Sequence, residues 1–152
     1  VTYRPVTTWA AAAERLDGGG LRDVTVRNIV RTTVGGNGLR VRLTNAFGDR
    51  PVTFGHVHAG VPLHVPLAVP LAGAALEPGS NRMLTFGGSP AVTVAPGATA
   101  LSDPLPVRVR PRRRLAISLY VQGEAGTLTG RNRATAPAPA YPPPGSGPEP
   151  GG

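Results

Sequence analysis

Five serines, three histidines, one tryptophan and a run of arginines are the side chains from which this chain would build catalysis or binding. A serine nucleophile needs a base and oxyanion-stabilising donors in contact with it. Ser80, Ser89, Ser102, Ser118 and Ser146 all stand outside any Gly-x-Ser-x-Gly elbow, and none follows a Gly-Asp pair. Ser102-Asp103-Pro104 has the composition of a strand-entry turn, with Asp103 bonding local backbone. Ser118 falls on the outer face of an alternating segment. The catalytic set is therefore read as empty.

His56-x-His58 is the strongest metal candidate, because residues i and i+2 share one face of a strand. His64 is close enough in sequence to join them, yet the next carboxylate is Glu77 and there is no cysteine. Without such a partner the pair reads as polar-face residues near a sheet edge, and no cofactor is implied. Trp9 is the single tryptophan and the one candidate for a sugar-stacking platform. Such sites align two or three aromatics, so a buried or interface anchor is the plainer role. Arg108, Arg110, Arg112, Arg113 and Arg114 form the densest charge cluster. They lack interleaved aromatics or an RNA-binding signature, which makes them a solvated basic face before a nucleic-acid site.

These residues sit on a chain of 152, long enough for one domain with a core. All sixteen basic residues are arginine and the net charge is +8, a pattern that points to GC-rich coding before polyanion binding. No cysteine means no disulfide, and no apolar run reaches membrane-spanning length. No signal peptide opens the chain, whose first residue is Val, so it reads as a processed or excerpted piece.

Strand signals dominate from Leu21 onward. Residues 24–34 place Val26, Val30, Thr32 and Val34 on one face, and Gly35 to Gly38 supply a hairpin turn into residues 39–45. Residues 52–57, 82–86, 91–94, 106–110 and 115–121 follow, the last burying Leu115, Ile117, Leu119 and Val121. Pro62, Pro66 and Pro70 mark an edge or surface loop. Residues 10–15 have helix propensity but follow an extended stretch. About eight short strands with turn signals between them predict an all-β, antiparallel, jelly-roll-like β-sandwich over residues 1–130. Residues 131–152, rich in Ala, Pro and Gly, read as a disordered or polyproline-like tail or linker.

Several blocks occur in a recognisable order: Thr7-Thr8-Trp9-Ala10-Ala11, Arg27-Asn28-Ile29-Val30-Arg31 and Val41-Arg42-Leu43-Thr44-Asn45-Ala46-Phe47-Gly48. They are followed by Leu84-Thr85-Phe86-Gly87-Gly88, Leu101-Ser102-Asp103-Pro104 and the run from Leu115 to Val121. The ordered set, from Thr7 to about Gly130, resembles the N-terminal β-sandwich region of actinobacterial secreted SGNH (GDSL-type) hydrolases. The resemblance implies a secreted accessory domain beside an α/β domain that hydrolyses ester bonds of lipids or acylated carbohydrates. It implies no catalytic residue here, because the family's Gly-Asp-Ser block and its histidine have no match. The expected partner is that catalytic domain in cis. A free-standing polysaccharide-binding module and an arginine-driven polyanion binder are the alternatives, and nucleic acid is not expected.

Overall fold

The structure, a computed structural model, describes residues 4–10, 13–16, 22–63, 76–124, 128–131 and 140–141. Among them there is no helix, and ten strands pair in antiparallel fashion. These are β1 (Ala13–Leu16), β2 (Arg22–Arg31), β3 (Arg42–Thr44), β4 (Val52–Gly60) and β5 (Arg82–Met83). The others are β6 (Ala91–Val94), β7 (Thr99–Leu101), β8 (Arg114–Glu124), β9 (Leu128–Arg131) and β10 (Ala140–Tyr141). The chain is all-β, as its alternation predicts.

Strand β8 is the centre of a six-stranded sheet ordered β10-β2-β8-β4-β5, with β6 also on β4. Its alternating apolar residues are matched across both neighbours. Leu119 lies opposite Val26, Leu115 opposite Val30, and Ile117 opposite Ala59. A β3–β7 ribbon, prolonged by bridges from Leu39 to Leu105 and from Gly36 to Val109, carries a second alternating set. Leu39, Leu43 and Val109 of this ribbon join Val30, Val57, Ala59, Leu84, Phe86, Leu115 and Ile117 in one buried apolar cluster. Sheet and ribbon are thus packed on one sandwich-like core, built largely of Val, Leu and Ala. Each side chain as fully buried as Val57 contributes about 1.5–3 kcal/mol.

Several local expectations are corrected. Residues 35–38 do not turn β2 back onto β3: β2 pairs with β8 and β10, and β3 with β7. One of its glycines, Gly35, serves a close approach. A Cβ on Gly35 would sit 2.6 Å from the Val109 carbonyl. Nor does the β2 face continue to Val34, which is 43% exposed. The chain leaves the sheet after Arg31 because Thr33 and Val34 bond to Thr8 instead. Residues 13–16 are strand, pairing with β9.

The turn signals fare better. Gly87 and Gly88 have φ of 59° and 83°, and Phe86 and Ser89 exchange both backbone hydrogen bonds around them. That is a two-residue hairpin of the type positive φ at both central positions selects. Pro96 and Gly97 (φ 78°) form a turn closed by Ala98 N–H donating to the Ala95 carbonyl at 3.0 Å. Of the Ala/Pro/Gly-rich tail, Ala140 and Tyr141 are described, and they pair with Val26 and Thr25 of β2. The remainder of the tail and the Pro66–Pro70 region lie outside the described residues.

Candidate functional site

The face of β8 opposite the apolar cluster carries Ser118 and Tyr120, and the sequence places most of the titratable candidates beside them. In register across the sheet, Arg27, Ser118 and His58 form one row, and Thr25, Tyr120 and Gly55 the next. This face is not solvated along its length. Arg27 is only 2% exposed and Ser118 9%. Ser118 thus lies on the outer face of its strand, as its alternation predicts, but that face is covered there. A buried guanidinium is tolerable only when hydrogen-bonded. Arg27 Nε donates to Ser118 Oγ at 3.1 Å, and Arg27 has further interactions besides.

Two β-bulges flank Tyr120, one between Arg22 and Val24 and one between Gly55 and His58. At each, a non-glycine residue adopts left-handed backbone: Asp23 at φ 47° and His56 at φ 45°. Such conformations cost about 1–3 kcal/mol each and persist only where surrounding contacts impose them. At Asp23 the contacts are visible. Its Oδ1 accepts from the Gly123 N–H at 2.7 Å and from the Tyr120 hydroxyl at 3.2 Å. Burial, then the adjacent Asp23 charge, raises the Tyr120 phenol above its ordinary range. A phenol held protonated donates a hydrogen bond and supplies no base near neutral pH.

The two candidate histidines make different contacts. The His56 ring packs edge-on against the Tyr120 ring, with centroids 6.3 Å apart. His58 Nδ1 lies 2.8 Å from the His56 carbonyl, which only accepts, so that nitrogen carries the hydrogen. Nδ1 of His58 is thus directed at its own strand and not at Ser118. Among the described residues no three His, Cys, Asp or Glu side chains cluster as metal ligands, and His64 lies outside them.

The motif blocks are occupied by framework contacts. Asn45 is buried and its Nδ2 donates to the carbonyls of Arg50 (2.9 Å) and Val94 (3.0 Å). Its own carbonyl accepts from Gly48 at 3.0 Å and Gly97 at 2.8 Å. A Cβ at Gly48 would collide with the Asn45 side chain, which explains the Asn-x-x-Gly spacing. Ser102 is fully buried and its Oγ accepts from Val41 N–H at 2.8 Å. Asp103 does not bond local backbone as expected. It reaches the glycine hairpin, accepting from Gly87 N–H (3.0 Å), Gly88 N–H (2.8 Å) and the Thr85 hydroxyl (2.7 Å). The Gly88 amide, then Thr85 and Gly87, with Arg40 adding attraction, holds this carboxyl below the usual range.

The basic cluster lies at the Arg31–Arg114 end of the β2–β8 pairing and is hydrogen-bonded to the chain after β2. Thr32, also buried, donates to the Arg110 carbonyl at 2.6 Å and accepts from the Arg113 amide at 3.1 Å. The backbone amides of Thr32 and Arg112 bond to Arg113 and Thr32 carbonyls at 2.8 and 2.9 Å. Arg112 sits at φ 56° within this turn. Next to it Thr8 Oγ1 donates to the Val34 carbonyl at 2.6 Å, so the segment bearing Trp9 is tied to the same end. Trp9 is 40% exposed and is therefore not a buried anchor.

Sequence reasoning identifies Trp9 and the arginine run but misses Asp23, Arg27 and Tyr120. Bulges and burial on a second sheet face leave no periodic signal that would reveal them. The chain matches no known protein-family profile, and no curated protein matches it.

Proposed function

We propose that this chain is a non-catalytic accessory module of an SGNH (GDSL-type) ester hydrolase that packs beside a catalytic domain and shapes access to it. In this reading the module works outside the cell, and sheet and ribbon are the two faces of a jelly-roll-like sandwich. One observation carries the proposal. Residues of the ordered blocks that resemble the family (Thr8, Asn45, Gly48, Thr85, Gly87, Gly88, Ser102 and Asp103) make hydrogen bonds or close approaches within the framework, the glycines through their backbone. What the blocks have in common is construction of a scaffold, and a scaffold is what an accessory domain contributes. Consistent with this, Ser118, the serine nearest a histidine in register, has its hydroxyl engaged by Arg27.

The test is activity of the purified chain toward short acyl p-nitrophenyl esters, with labelling by a fluorophosphonate probe. The reading expects no hydrolysis above buffer and no label. Hydrolysis that a serine-directed phosphonate abolishes would overturn it. A free-standing polysaccharide-binding module is the second reading, favoured by the exposure of Trp9. Retention on insoluble polysaccharide that disappears in Trp9→Ala would select it.

A further inference from the structure

We propose that the end of the molecule formed by Thr8–Trp9, Val34 and the Arg110–Arg114 turn docks on an anionic lipid bilayer surface. The proposal is independent of the accessory-domain reading. It starts from charge segregation. Residues 31–36 and 108–114 hold six of the chain's sixteen arginines and none of its eight carboxylates. Arg31, Arg110, Arg112 and Arg113 are exposed and Arg114 half-buried, while the ion pairs among the described residues, Arg22–Asp23 and Arg50–Asp49, lie elsewhere. Arg31 and Arg114 even face each other directly across β2 and β8. Like charges so placed oppose strand pairing.

Charge alone would suit any polyanion, but the same end also exposes apolar surface. Val6 is 68%, Trp9 40% and Val34 43% exposed. The hydrogen bonds from Thr33 and Val34 to Thr8, and from Thr32 to the Arg110–Arg113 backbone, fix these apolar residues beside the arginines. A tryptophan with aliphatic neighbours, rimmed by arginines, is the composition of a bilayer interface. The indole sits at headgroup level and the guanidinium groups meet lipid phosphates. A single-strand nucleic-acid groove would instead set successive aromatics along a basic track.

Trp9 is the only tryptophan, so selectively excited tryptophan fluorescence reads this surface alone. The full chain is titrated with vesicles of phosphatidylcholine containing about a third phosphatidylglycerol, and with pure phosphatidylcholine vesicles. Co-sedimentation is measured in parallel. The expected result is a blue shift and co-sedimentation with anionic vesicles only, both lost near 1 M salt, where the Debye length falls to about 3 Å. Each arginine removed lowers partitioning about fivefold, so R110Q/R112Q/R113Q loses on the order of a hundredfold. These exposed positions leave the fold intact, which circular dichroism verifies. Val34→Ser, a neutral change, lowers partitioning of the lipid-bound form without altering the salt slope. The absence of any anionic-vesicle binding overturns the proposal, as does equal binding to neutral vesicles. Tight binding to heparin or DNA without vesicle binding also overturns it, and assigns the arginines to a soluble polyanion.

Discussion

Arg31 of β2 stands directly opposite Arg114 of β8 in the antiparallel register that forms the centre of the sheet. Cross-strand like charges are unfavourable, and an opposite-charge pair in the same place contributes roughly 0.2–1 kcal/mol. Arg31→Glu should therefore raise the urea midpoint by an amount equivalent to about 0.5 kcal/mol, with the gain shrinking as salt is added. An unchanged or lower midpoint would show that the two guanidinium groups avoid each other at no cost.

Arg112 bears left-handed backbone that glycine adopts freely. Arg112→Gly is expected to stabilise the fold by about 1 kcal/mol through relief of that strain. The same change should weaken partitioning onto anionic vesicles about fivefold. Opposite signs for stability and binding would mark Arg112 as a residue kept for its surface role.

Asn45 and Gly48 interlock, so their substitutions should couple. Asn45→Ala leaves the buried Val94 carbonyl without this donor, and the loss is about 1–3 kcal/mol. Gly48→Ala is destabilising because the new methyl meets the Asn45 side chain. In the double variant that collision is gone. The cycle should show a coupling of about 1 kcal/mol or more, and simple additivity would contradict the interlock.

The Asp103 carboxylate titrates below its unfolded value because the Gly88 and Gly87 amides and Thr85 favour its charged form. A group of this kind adds stability above the unfolded value, about 3.9, and loses it as pH falls through the folded value. Asp103→Asn should be less stable than the wild type at neutral pH and close to it near pH 2. A stability difference equally large at both would contradict the clamp.

Tyr120 is held protonated by burial and by Asp23. Its contribution is complete below about pH 10 and is lost as pH rises through the raised folded value. Absorbance titration at the phenolate band should resolve one of the three tyrosines above the ordinary range. Asp23→Asn should lower that value, and no change would separate the two groups energetically.

The parts of the fold that are legible in the sequence are those in which a residue's role is decided by its neighbours along the chain. Leu115, Ile117, Leu119 and Val121 announce β8 by alternation, and Gly87-Gly88 and Pro96-Gly97 announce their turns by backbone preference. The partners of β2 and β3 are not legible. Gly35 to Gly38 has the composition of a hairpin, while the close approach of Gly35 to Val109 involves a segment over seventy residues away. The candidate surfaces divide in the same way. The arginine run is visible as a run. Its joining with Trp9 depends on Thr8 and Thr32, whose tertiary hydrogen bonds no spacing rule encodes. Arg27 is the clearest case of concealment, because an arginine in a strand reads as solvent-facing until both faces of that strand are found covered.

We propose that this framework supports a hydrolase domain. The most direct test joins the chain, through its C-terminus, to an SGNH-type catalytic domain and compares melting of that domain alone and fused. Packing worth about 1–2 kcal/mol would raise the catalytic domain's Tm by roughly 2–8 °C, and a single cooperative transition is the predicted outcome. Two independent transitions, each at the temperature of its isolated domain, would contradict the account.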